Sequence, residues 1–226
     1  MAKKLLPRAA TDMLRKVLPE SIYYPGYGQT TLSPQKADLL AGLLDQCLSR
    51  KLEGDIIECG VFRGGSLAEI ATAAKKHTPS KRVFGADTFE GHPFNGPEDM
   101  PPDQHLVHHK GLFAGNHFDR VQAMLLERGL TNAILLKGLV GETLPKLGDP
   151  QFCFAHLDLD LYRSTRQALE FIAPRLVSGG AIVFDDYAAF DSPGVEKAVC
   201  EVLPDAKIQR ALMGAADGSQ AFWIKP

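Results

Sequence analysis

The feature that most constrains this chain is an alternation that begins near residue 54. Short apolar runs occur at 55–59, 82–87, 132–137, 152–158 and 180–184. Stretches with helical spacing lie between or after them, at 67–76, 118–128, 142–147, 164–176 and 195–202. Runs that are apolar throughout belong to strands covered on both faces. Strand and helix repeated in this order give an α/β fold, a mostly parallel sheet with helices on both faces and right-handed crossovers. The last two segments, 206–212 and 220–224, are joined by Gly214-Ala-Ala-Asp-Gly-Ser219 and read as a terminal antiparallel hairpin at the sheet edge.

Residues 34–226 read as one domain behind an N-terminal extension, 1–33. In the extension, 5–18 is a candidate helix, and Tyr23, Tyr24 and Tyr27 sit in a turn-rich loop. They suit packing, with a wall of an acceptor pocket as the second reading. Ser33-Pro34 is a helix start, and Leu39, Leu40, Leu43, Leu44 and Leu48 follow at helical spacing. One stretch, 88–116, breaks the alternation. It holds four of the seven histidines and several prolines, and leaves the carboxyl end of a strand, where ligands bind. It reads as a lid or binding loop that is mobile without acceptor.

Composition excludes several function classes. Twenty-five Lys and Arg against 27 Asp and Glu leave a net charge of −2, without the basic excess that non-specific nucleic-acid binding needs. Hydrophobic residues are 45% of the chain, enough for a full core. The four cysteines form no C-x-x-C pair, which argues against a thiolate zinc site. No run approaches eighteen apolar residues and no signal-peptide core follows Lys3 and Lys4, so the expectation is a cytoplasmic chain without a membrane partner.

Three constellations carry chemistry. Glu58-Cys-Gly60-Val-Phe-Arg63-Gly64-Gly65-Ser66 joins the first strand to its helix. Glycines there let a ligand approach the backbone, and the helix start favours a carboxylate or phosphate. The competing reading is a tight turn. The spacing is neither G-x-G-x-x-G nor a P-loop. Glu58, at a strand end, suits an ammonium group. Asp87 ends the second strand and is placed to accept both hydroxyls of a ribose, with a turn cap as the alternative. The third is His156-Leu-Asp158-Leu-Asp160 with Asp185-Asp186. Carboxylates converging at one rim repel unless a cation is present, and an all-oxygen set selects Mg²⁺.

Several stretches resemble the macrocin O-methyltransferase family, S-adenosylmethionine-dependent enzymes that methylate sugar hydroxyls of macrolide and aminocoumarin antibiotics. They are 54–66, Ala86-Asp-Thr-Phe-Glu-Gly91, Leu136-Lys-Gly138, Glu142-Thr-Leu-Pro145, 158–165 and 179–187, in the family's order over about residues 54–190. The resemblance implies a class I, Rossmann-like methyltransferase fold with a seven-stranded sheet. It implies that Glu58, Gly60 and Ser66 hold the methionine part of S-adenosyl-L-methionine. Asp87, with Thr88, would take the ribose, and Gly138 and Glu142 would lie near the adenine. It implies Mg²⁺ on Asp158, Asp185 and Asp186, and Asp160 as general base.

The expected reaction is transfer of a methyl group to a hydroxyl of a sugar or glycosylated natural product, with a vicinal diol as the natural acceptor geometry. A catechol-type acceptor is the first alternative. From other classes come an NAD-dependent oxidoreductase and a non-catalytic nucleoside-binding module. His105, His108 and His109 are a conceivable zinc trio, outweighed by solvated or substrate-facing roles. A lid histidine as base is a further alternative. A homo-oligomer is compatible with the sequence.

Overall fold

Ser33 and Pro34 do start a helix. Ser33 Oγ accepts from the Lys36 amide at 3.3 Å, and α1 runs Pro34–Ser49, burying Leu40, Leu43, Leu44, Cys47 and Leu48 along one stripe. These details come from a computed structural model, which describes residues 32–115, 117–211 and 220–226. The 5–18 helix, the tyrosines at 23, 24 and 27, and the 212–219 connection lie outside the described residues.

The alternation then unfolds as expected. The order is β1 (Asp55–Cys59), α2 (Gly65–His77), β2 (Val83–Asp87), α3 (His117–Glu127), β3 (Ala133–Lys137), α4 (Val140–Thr143), β4 (Phe152–Leu157), α5 (Tyr162–Arg175), β5 (Leu176–Asp185), α6 (Pro193–Val202), β6 (Gln209–Arg210) and β7 (Gln220–Ile224). The seven strands form one sheet in the order β3-β2-β1-β4-β5-β7-β6. The strands β1 to β5 pair in parallel, and β7 runs antiparallel to both β5 and β6. The chain winds outward from β1 to β3 and returns to place β4 beside β1. That reversal opens a crevice beyond the carboxyl ends of β1 and β4.

Several boundaries moved, two of them with a plain backbone cause. The short helix expected at 142–147 begins earlier, at Val140, and tightens into a 3-10 turn over Leu144–Leu147, where Pro145 lacks an amide for α-helical pairing. The strand expected at 180–184 begins at Leu176, directly after α5. Gly179, at φ +77°, and Gly180, whose added Cβ would press on the Cys153 carbonyl, make that continuation sterically open.

Core side chains alternate across the sheet. Ile56, Phe154 and Val183 face α1, α2 and α3, joining Leu44, Leu67, Ile70 and Val121. Ile57, Phe84, Phe152, Ile182 and Phe184 face α4, α5 and α6, joining Leu144, Leu169, Ile172 and Val199. Each such side chain contributes about 1.5–3 kcal/mol by leaving water. Among the described residues, no helix is long and apolar enough to cross a membrane.

Candidate active site

The strand ends converge on one cavity of about 430 Å³. Gly60, Asp87, Thr88, Gly138, Asp158, Asp160, Asp185 and Asp186 all line it. Glu58, Ser66 and Glu142 do not. The expected cofactor set is therefore only partly gathered at the cavity wall. Glu58 is wholly buried and pairs with His156, its register partner on β4, Oε1 to Nδ1 at 2.9 Å. The pleat turns it to the sheet face rather than past the strand end. Ser66 lies in the first turn of α2, outside the cavity lining, and Glu142 is exposed on α4, where Leu139 and Val140 line the cavity instead.

Gly60 is the hinge of the first turn. Its φ is +93°, and a Cβ there would overlap the Asp158 carbonyl oxygen. Its amide donates to Ala86 O at 2.9 Å, while the Asp158 amide donates to Cys59 O at 2.8 Å. Three strands therefore meet at a residue that must lack a side chain. Asp87 fixes the rest of the turn. One carboxylate oxygen accepts the Val61 and Phe62 amides at 2.7 and 2.8 Å, and the other accepts the Phe89 amide at 2.6 Å. The Thr88 hydroxyl also donates to that second oxygen at 3.4 Å, the longest of the four contacts and the one a ligand hydroxyl could replace. Phe62 and Phe89 both adopt left-handed backbone (φ 49° and 54°), a strained conformation for bulky residues that the Asp87 bonds hold in place.

The opposite wall is acidic. Asp160 and Asp186 also sit at positive φ, 60° and 51°. Asp158, Asp160 and Asp186 each bring a carboxylate oxygen within 4.8 Å of the others. Burial first, then the neighbouring carboxylates Asp185, Asp160 and Asp186, holds the Asp158 carboxyl well above the usual range. Burial followed by Asp186 does the same to Asp160. These three oxygens are the hard donor set that Mg²⁺ takes, and their mutual repulsion, offset only in part by Lys36 at Asp186, fits a cation. The expected set of Asp158, Asp185 and Asp186 shares two residues with this group, and Asp185 lines the same cavity. Asp185 is only 5% exposed, and its oxygens accept from Lys36 Nζ at 2.7 Å and Gln220 Nε2 at 2.9 Å. Lys36 Nζ also reaches Asp186 at 2.9 Å. Burial alone would lower the Lys36 pKa, but Asp185 and Asp186 outweigh it and the ammonium is held more firmly than usual.

Residues 88–115 lie packed over this cavity. Asp99, in a 3-10 turn at Pro97–Asp99, accepts the Tyr162 amide at 2.6 Å and so caps the start of α5. His108 Nε2 meets Ser192 Oγ at 3.0 Å, just before α6. Phe113 packs edge-on to Phe62 and His92, centroids 5.3 Å apart in each case. His105 is exposed and does not join His108 and His109 in a cluster; His108 turns inward to His92 instead. Burial lowers His92 to about 3 and lowers His108 as well, so both imidazoles are neutral.

Sequence reasoning missed Lys36, His92 and Ser192. Lys36 gave no local signal, being one lysine in an amphipathic helix. His92-Pro93, directly after the Asp87 turn, was the one available clue to an inward-facing histidine.

Comparison with known proteins follows the same lines. The family model described as macrocin O-methyltransferase (TylF) matches residues 7–225. A relative from Streptomyces olivaceus, 8-demethyl-8-(2,3-dimethoxy-alpha-L-rhamnosyl)-tetracenomycin-C 4'-O-methyltransferase, is 34% identical over 170 residues, covering 73% of this chain and 65% of its own. The chain thus spans just under two thirds of that relative's length. Mycinamicin III 3''-O-methyltransferase from Micromonospora griseorubida is 27% identical over 184 residues, 79% of this chain and 71% of its own. The solved O-methyltransferase NovP shares the fold, with a TM-score of 0.76 at 21% identity over 96% of this chain and 98% of its own. The turn at Gly60, the acidic rim and the seven-stranded sheet are therefore those of a chain that belongs to the macrocin O-methyltransferase family.

Proposed function

We propose that this chain transfers the methyl group of S-adenosylmethionine to a hydroxyl of a glycosylated small molecule, with Asp160 receiving the proton. The observation that carries this reading is one cavity that joins the Gly60–Asp87–Gly138 rim to Asp158, Asp160 and Asp186. Its volume lies within the range of small-molecule sites. Family membership removes the basis for a nicotinamide enzyme, and the tetracenomycin relative is named for a rhamnosyl-bearing substrate.

The cofactor supplies a methyl group already activated on a sulfonium sulfur, so the protein's work is positioning and proton handling. Gly60 and Gly138 leave the backbone open along one wall, and the Asp87 carboxylate lies there to accept a ligand hydroxyl in place of the long Thr88 contact. Phe62 and Phe113 give the cavity an apolar wall. Asp158, Asp160 and Asp186 would hold Mg²⁺, which when bound would acidify and orient an acceptor hydroxyl. Lys36 bonds both Asp185 and Asp186 and so offsets part of the negative charge of the cluster. Asp160 lines the cavity beside that acceptor position and would receive the hydroxyl proton.

The test is release of S-adenosylhomocysteine from S-adenosylmethionine across a panel of rhamnosides, other glycosides and catechols. Turnover on glycosides with little on catechols is expected. Turnover confined to catechols, or none on any acceptor while S-adenosylhomocysteine still binds, would overturn the sugar assignment.

A further inference from the structure

Beside the acidic cluster lies a second convergence of ligand atoms that this reading does not use. His92 Nε2, His108 Nδ1 and Asp160 Oδ2 point at one another. The two nitrogens are 3.1 Å apart, His92 lies 3.4 Å from the aspartate oxygen, and His108 lies 3.9 Å from it. All three side chains are 8–12% exposed, and all three line the cavity. They arrive from separate places in the chain, the turn after β2, the middle of the 88–116 segment and the residue pair after β4.

One proton shared between the two imidazoles satisfies only the His92–His108 contact, and Asp160 Oδ2 stands at the same spot as a third ligand atom without a hydrogen bond to either ring. A single cation at the centre would satisfy all three at once. Ligands about 2.1 Å from a tetrahedral cation lie about 3.4 Å from each other, and the observed separations bracket that value. Two imidazoles and a carboxylate select a borderline first-row transition metal over Mg²⁺. The remote nitrogen of His108 is tethered by Ser192 Oγ at 3.0 Å, the kind of outer partner that fixes a metal-bound imidazole.

We propose that His92, His108 and Asp160 form a transition-metal site, of the Zn²⁺ or Co²⁺ class, distinct from the all-oxygen cluster of Asp158, Asp160 and Asp186. Asp160 is the residue common to both. Loading the histidine site clasps the 88–116 segment to the β4–α5 rim, and it commits the Asp160 oxygen that faces the histidines. The bound state is therefore a closed form with weakened proton acceptance, so Zn²⁺ inhibits where Mg²⁺ supports turnover. Only this last consequence rests on the proposed role of Asp160 as base; the metal uptake stands apart from it.

The experiment titrates Co²⁺ into the full chain held in saturating Mg²⁺ and follows the visible d–d band of low-coordinate Co²⁺. One equivalent is expected to bind with a band that excess Mg²⁺ does not displace. His92→Gln and His108→Gln should each lose at least about 100-fold in Co²⁺ affinity, and Ser192→Ala about tenfold. Retained S-adenosylhomocysteine binding by calorimetry shows that the variants are folded, and Ser192→Ala serves where a histidine variant is not. The absence of a band, full displacement by Mg²⁺, or an unchanged band in the folded variants would overturn the site. Uptake without Zn²⁺ inhibition would keep the site and remove the base assignment of Asp160.

Discussion

Lys36 Nζ lies 2.7 Å from Asp185 Oδ2, a contact between residues 149 positions apart that places a buried ammonium at the edge of the acidic cluster. Its partner set includes Asp186 at 2.9 Å. Removing one side of a buried ion pair leaves the other uncompensated, at a cost of about 3–5 kcal/mol. Lys36→Met should lose about that much in urea unfolding measured in EDTA, with part recovered when Mg²⁺ is added. A loss under about 1 kcal/mol would mean the pair does not hold α1 to the site.

Asp160 and Asp158 should separate by readout. Asp160→Asn keeps size and polarity, so turnover should fall about 10²–10⁴-fold while S-adenosylhomocysteine binding by calorimetry stays near wild type. Full activity in that variant would move the base elsewhere.

The Asp87 carboxylate supports both a turn and a ligand. Asp87→Ala strands the Val61 and Phe62 amides, and hydrogen bonds to a charged acceptor contribute about 1.5–3 kcal/mol each. Thermal stability and S-adenosylhomocysteine affinity should therefore fall together. Asp87→Asn, which keeps one accepting oxygen, should lose less of both. Loss of affinity with unchanged Tm would assign Asp87 to the ligand alone.

Gly60→Ala should be among the most disruptive single changes in the chain. Its Cβ would overlap the Asp158 carbonyl, and backbone cannot yield as a side chain can. The cost should exceed the about 1–3 kcal/mol of ordinary overpacking, read as insoluble expression or a sharply lowered Tm. A soluble variant with wild-type Tm would contradict the packing of β1 against β4 described above.

Native thiol titration should find one fast cysteine. Cys200 is exposed, whereas Cys47, Cys59 and Cys153 are buried. Burial pushes the Cys47 thiol up to about 11 and raises Cys59 and Cys153 as well, so their reactive thiolates are scarce at neutral pH. Denaturation should release the other three. Two or more fast thiols in the folded chain would show that a core face opens.

The sequence by itself determined what depends on neighbours along the chain. The apolar runs and helical spacings located the strands, and the acids stood at the strand ends because a strand's exit is a local property. The turn at Gly60 was legible for the same reason. What only the tertiary structure decided was which distant groups meet. Nothing local to Asp185 announced that α1 would pack Lys36 against it, and nothing local to Glu58 announced that β4 would bring His156 to its register position. His92, His108 and Asp160 share no local pattern, and only the fold of the 88–116 segment over the β4 rim brings them together. Periodicity records burial one element at a time, whereas the charge and ligand state of a side chain is set by whatever partner the sheet order and helix packing deliver to it.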